Sequence, residues 1–140
     1  YHYPVVELPY DPQEFYTAVK GLESEPEKGA RCTVCYRLRL DAAAAYAAEN
    51  GVLAFSTTLL ISPYQNHALL MEAGERAAAQ YGVSFLYRDF RPLFRDGQNR
   101  ARELNLYMQK YCGCIFSEED RYMAAKRKKA AKRLEREKTE

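Results

Sequence analysis

Tryptophan is absent from these 140 residues, histidine occurs only twice, and no cysteine stands alone. Without indole, any aromatic surface must come from the 12 Tyr and 6 Phe, residue types that line pockets or stack on bases but also fill cores. His2 and His67 are weak zinc-ligand candidates. Neither has a second ligand at metal spacing, and an ordinary surface or core role is expected for each. No apolar run approaches the length of a membrane span, and the N-terminus carries no signal-peptide pattern. The expectation is a cytoplasmic protein with no membrane partner, in a compartment where thiols stay reduced and structural disulfides are rare.

A chain of this length is one domain's worth, and 47% apolar residues suffice for a real core. The net charge of +2 is unevenly spread. Residues 1–120 carry 12 Lys/Arg against 16 Asp/Glu, whereas residues 121–140 carry 9 against 3. The basic character therefore belongs to the tail. Lys126–Lys129 and Lys132–Arg133 stand there with little apolar stripe. The segment reads either as a solvated, partly frayed helix or disordered arm, or as an electrostatic grip on phosphate backbone. The expected division is a domain over residues 1–122 and a basic tail over 123–140.

Val5–Tyr10 reads as a short strand, and Asp11-Pro12-Gln13-Glu14 as the capped start of a helix running to about Lys20. A charged loop, Gly21–Arg31, leads to a helix over Thr33–Glu49 that Asn50-Gly51 ends. Val52–Ile61 has the continuous apolar character of a strand buried on both faces. Gln65–Tyr81 repeats at helical spacing and stops at Gly82, and Val83–Tyr87 is a third strand. Arg91-Pro92 and Asp96-Gly97 fall in loop and turn, Gln98–Tyr107 is helical, and Ser117 caps a last helix. Alternating strand and helix predict an α/β fold, a parallel sheet flanked by helices, with one strand apparently missing at the N-terminal side.

All four cysteines lie in two tight pairs, Cys32-Thr-Val-Cys35 and Cys112-Gly-Cys114, so none is left as ordinary core packing. Arg31 and a nearby helix start favour the thiolate of Cys32 that binds metal. C-x-x-C spacing serves zinc, iron–sulfur clusters and thiol redox alike. Cys112-Gly-Cys114 does not fit the usual zinc spacing. Gly113 lets the backbone turn sharply between two sulfurs, whether they face one cluster or bond to each other, and this tips the balance toward redox chemistry.

Four segments in order, Arg31–Leu40, Ser56–Gln65, Asp89–Pro92 and Tyr107–Ser117, resemble the QueH-type epoxyqueuosine reductases, and the likeness extends over about Val5–Tyr122. The resemblance implies a nucleotide α-hydrolase-like (Rossmann-like) sandwich and an oxidoreductase. Its reaction converts epoxyqueuosine to queuosine at the tRNA wobble position, without cobalamin. It further implies that Cys32 and Cys35 ligate an iron–sulfur cluster of the 4Fe-4S type, with one additional iron left open. Cys112 and Cys114 are implied as a redox-active disulfide, with a ligand role competing. The family begins with a strand ending in a Cys-Cys motif that this chain does not contain, so a fragment of a longer protein is expected. The partners implied are tRNA carrying epoxyqueuosine and an unidentified electron donor.

Around these motifs, Tyr36, Tyr64 and Tyr111 are candidates for stacking an extruded base. Arg37 and Arg91, with Arg39 and Arg95, are candidates for phosphate contact, pairing with Asp41, Asp89 and Asp96 being the alternative. Asp89, Tyr111 and Tyr36 are the available proton donors. A zinc-stabilised RNA-binding module without catalysis is the competing reading, and a metal-free thiol oxidoreductase a third.

Overall fold

Helix α1, Pro12–Ala18, begins as its sequence dictates. The Asp11 carboxylate accepts the Gln13 N–H at 2.9 Å and Pro12 takes the first helical position. The computed structural model describes residues 2–137, which form two compact units, one reaching to Pro92 and one starting at Leu93. In the first unit α1 is followed by α2 (Ala30–Glu49), strand β1 (Ala54–Phe55), a 3-10 turn (Thr58–Ile61), α3 (His67–Tyr81) and β2 (Ser84–Phe85). The second holds α4 (Phe94–Glu103) and α5 (Ile115–Glu137). Among the described residues no helix is long and apolar enough to cross a membrane.

The core belongs to the first unit. Tyr36, Leu40, Ala44 and Ala47 recur along one face of α2 and bury against Leu70, Ala73 and Ala77 of α3, with Phe55, Leu60 and Phe85 completing the cluster. Complete burial of Leu60 and Leu70 contributes about 1.5–3 kcal/mol each. Gly74 lies where a β-carbon would come within 2.4 Å of the Phe85 ring, so glycine is what lets α3 close onto β2. Asn50-Gly51 ends α2 as expected. Gly51 has φ +66°, Val52 N–H reaches the Ala47 carbonyl and Gly51 N–H the Ala48 carbonyl.

β1 and β2 pair in parallel, Ala54 with Ser84 and Phe55 with Phe85, which makes an α/β arrangement with a two-stranded parallel sheet. Among the described residues two strands are found where three were expected, and both are shorter. Val5–Tyr10 forms none. Its residues are all exposed, no described strand lies beside them, and Pro4 and Pro9 cannot donate to a ladder. The expected Val52–Ile61 strand breaks after Phe55, because the Thr57 hydroxyl accepts the Leu59 N–H and starts the 3-10 turn. α2 begins at Ala30, ahead of the predicted Thr33, since Gly29 provides the extended N-cap.

Asp96-Gly97 is not a turn but lies inside α4. Asp96 suits the first turn there and Arg100 and Arg102 the last, each favoured by the helix dipole. Asn105, at φ +52°, then ends the helix, with Leu106 N–H on the Ala101 carbonyl. Ser117 is not the cap of α5. It is buried inside the helix, and the Cys114 carbonyl accepts the Glu118 N–H. The helix continues through Glu137 across the expected boundary at 122/123, and residues 138–140 of the predicted tail lie outside the described residues.

Candidate functional site

α2 and α3 run in the same direction. Tyr36 meets Gln65 and Asn66, Arg37 meets Glu72, and Asp41 pairs with Arg76, so residue numbers rise together along both helices. Their N-terminal ends therefore share one edge of the first unit. The segments leaving β1 and β2 are bound together next to it. The Ser56 hydroxyl donates to the Leu86 carbonyl at 2.8 Å, and the Phe90 N–H donates to the Leu60 carbonyl at 3.3 Å. The carboxyl ends of parallel strands are where open α/β sheets bind ligands.

Cys32 and Cys35 both lie within the first two turns of α2 and are half-buried, with Cys32 packed against the core. Three residues apart on a helix, they share a face with β-carbons about 5–6 Å apart. A disulfide needs about 3.5–4.5 Å, so closing one here draws the β-carbons together, whereas a bound atom can sit between the sulfurs at the helical separation. The loop before α2 clasps this end. The Lys28 N–H donates to Cys32 Sγ at 3.3 Å, with Lys28 itself at φ +69°. The buried Arg31 guanidinium donates to the Glu23 carbonyl at 2.5 Å.

The second pair is built differently. Gly113 between its members has φ +91°, a conformation that side chains rarely adopt. This turn brings the two sulfurs into hydrogen-bond contact, and neither is in a disulfide. Cys114 is buried at the N-terminus of α5, where its sulfur accepts the backbone N–H groups of Ser117 and Phe116. The hydrogen bond to Cys112 and burial raise the Cys114 pKa, outweighing those two N–H groups, so Cys114 holds its proton. Two sulfurs in contact across a glycine suit exchange of protons and electrons.

Thiolates are the ligands iron–sulfur clusters take, usually four of them. Cys32 and Cys35 fit two of those places by residue type, shared face and partial exposure. Among the described residues no group of three His, Cys, Asp or Glu side chains converges at metal spacing.

The remaining candidates fall into distinct settings. Tyr36 is 2% exposed, with its hydroxyl donating to Gln65 Oε1 at 2.8 Å and accepting the Asn66 N–H at 3.2 Å, so it fixes the segment entering α3. Tyr64 is 53% exposed on that same segment. Arg91 grips Asp89 in a bidentate pair at 2.6 and 2.8 Å. The Arg91 guanidinium and backbone N–H hold the Asp89 carboxyl down at about 2, so at neutral pH Asp89 is ionised and has no proton to give. Arg37 reaches Glu72 loosely at 3.6 Å, and Asp41 is taken by Arg76. Tyr111 is half-buried in the second unit, with its phenol pKa raised chiefly by the Glu118 carboxylate.

Sequence reading passed over a polar pair in the first unit, the buried His67 beside the exposed Tyr87. His67 Nε2 lies 3.2 Å from the Ser62 carbonyl, which can only accept, so this nitrogen carries the proton. Nδ1 lies 3.4 Å from the Tyr87 hydroxyl. His67 is thus a core histidine anchoring the start of α3, as its lone position suggested. Tyr87 had no signal of its own.

Comparison with known proteins fits this arrangement. The family described as Epoxyqueuosine reductase QueH matches residues 1–120. The chain is 39% identical over 121 residues to the epoxyqueuosine reductase QueH of Acinetobacter baylyi, covering 84% of this chain and 55% of that one. It is 42% identical over 92 residues to that of Dehalococcoides mccartyi, covering 66% and 50%. For the Thermotoga maritima protein the identity is 37% over 107 residues, covering 75% and 56%. The chain spans about half the length of the curated relatives it matches. On the family match over most of its residues, this chain belongs to the epoxyqueuosine reductase QueH family.

Proposed function

We propose that this chain takes part in reducing epoxyqueuosine to queuosine at the tRNA wobble position, by a cobalamin-independent, iron–sulfur-dependent route. The observation that carries the reading is the helix-embedded pair Cys32 and Cys35 at the open edge of a parallel strand pair, in a chain of this family. Cys32 and Cys35 provide two cluster ligands, and protein beyond these residues or a further group provides the others. When bound, an iron–sulfur cluster supplies one-electron steps and an iron that acts as a Lewis acid.

Opening an epoxide to an alkene consumes two electrons and two protons and releases the oxygen as water. Oxidation of the Cys112–Cys114 dithiol to a disulfide releases two electrons and two protons, so one turnover balances. An external reductant must then restore the thiols. Asp89 is unsuited to protonate the departing oxygen because it is already ionised, and Tyr36 spends its hydroxyl inside the core. Tyr111, whose phenol stays protonated, is the side-chain donor that remains of the three. For the tRNA, Tyr64 offers an exposed ring to stack on a base, and Arg37 and Arg91 offer charge to phosphate. Arg91 does so in competition with Asp89.

The test is anaerobic purification of a protein carrying these residues at the full length of the relatives. Iron and sulfide are counted beside a visible spectrum and an assay on tRNA bearing epoxyqueuosine. A brown, iron-loaded protein that forms queuosine is expected. A colourless, zinc-loaded protein without turnover overturns the reading in favour of a structural RNA-binding module.

A further inference from the structure

Helix α5 continues beyond residue 120, the last that the family matches, and its surface changes character there. From Arg121 to Glu135 it carries seven Lys/Arg and one acid, and all of these residues are exposed. At 3.6 residues per turn, Arg121, Lys126, Lys128, Lys129, Lys132 and Arg133 fall within an arc of about 160°, and Arg127 lies outside it. From Arg121 to Arg133 this face is about 18 Å long at the helical rise. Like charges crowded at three- and four-residue spacing cost an isolated helix stability.

We propose that this cationic face binds RNA phosphate backbone, as an electrostatic arm for the tRNA; this rests on the substrate reading given above. Residues 1–120 of this chain carry a net charge of −4, from 12 Lys/Arg against 16 Asp/Glu. That sign repels a polyanion at long range, and residues 121–140, with 9 against 3, reverse it. A membrane surface is the poorer match. Interfacial helices bury a broad apolar face with aromatic residues, whereas the side away from the cations has, besides Arg127 and Glu135, only Met123, Leu134 and alanines. Binding of this kind reads no sequence and weakens steeply with salt.

The probe is an unmodified tRNA transcript, titrated between about 50 and 200 mM salt, where phosphate contacts dominate. The proteins are the 140-residue chain and its K128Q/K129Q/K132Q/R133Q variant, with helicity checked by circular dichroism. Removing one cation from a phosphate lowers the slope of log K against log salt by about 0.7–0.9. A flattening by about 3 is therefore expected, with at least about tenfold weaker binding near 100 mM. Arg127→Gln, off the face, changes the slope less than Lys132→Gln does. An unchanged slope in the quadruple variant overturns the proposal. So does an equal effect of Arg127→Gln and Lys132→Gln, or weakened binding to phosphatidylserine vesicles with the RNA slope intact. Because the transcript holds no epoxide, either outcome is independent of reductase activity.

Discussion

Cys32 and Cys35 stand on a helix whose inner face packs into a continuous core, whereas Cys112 and Cys114 stand in a unit where, of the described residues, only Cys114 and Ser117 are buried. One pair is held by a scaffold, the other by its own backbone. The first pair is kept apart by a helical turn that also fixes its direction, as the proposed ligand role requires. The second is brought together by a glycine and a few local hydrogen bonds, the local freedom that the proposed cycle between dithiol and disulfide needs. Rigidity suits holding an atom in place; local freedom suits making and breaking a bond.

The largest effect that tests this contrast is an exchange of losses. Cys32→Ala or Cys35→Ala should strip iron from the protein at the full length of its relatives, measured as iron and sulfide per chain. Cys112→Ser or Cys114→Ser should leave that count intact while lowering turnover by roughly 10³-fold or more, as when one member of a catalytic unit is removed. Iron lost from the second set as well makes all four cysteines ligands and ends the contrast.

A smaller effect separates the scaffold from the local turn. Gly74→Ala gains about 1 kcal/mol of helix propensity but drives a β-carbon into Phe85, and overpacking of this kind costs about 1–3 kcal/mol or more. A net loss is expected, read as a midpoint of thermal unfolding several degrees lower. A midpoint that rises shows that the Phe85 ring can step aside and that the core has room to repack.

The smallest effect concerns acid. The folded-state value of Asp89, about 2, lies below its ordinary 3.8, so its pairing adds stability above pH 3.8 that is lost as pH falls toward 2. Asp89→Asn should flatten that part of the stability-against-pH curve, and only slightly, because the Arg91 pair faces solvent. An unaltered acid limb shows that Arg91 does not hold Asp89 in solution.

Both cysteine pairs, the caps at Asp11 and Asn50-Gly51, and the stop at Gly82 were legible in the sequence because each depends on residues a few positions apart. The strands were not. Val5–Tyr10 has the composition of a strand, yet a strand exists only with a neighbour, and apolar character cannot say whether one is present. Asp96-Gly97 reads as a turn by its dipeptide, but the acid serves equally well in a first helical turn, and surrounding helix formers decided it. Ser117 looked like a cap because serine often is one; the sulfur of Cys114 does that work instead, a role that residue-type statistics seldom assign to cysteine. Tyr36 offered an aromatic beside a ligand pair, and only packing reveals that its ring faces inward.

The shared direction of α2 and α3 has an electrical consequence. Helices of 20 and 15 residues place their positive ends at the same edge, where Cys32 and Cys35 lie. Each end is equivalent to about half a positive charge, and the two fields add instead of cancelling as they would between antiparallel neighbours. A group seated there meets a fixed bias toward whichever of its charge states is more negative. The direction of two helices thus sets part of the electron affinity of that edge before any ligand arrives.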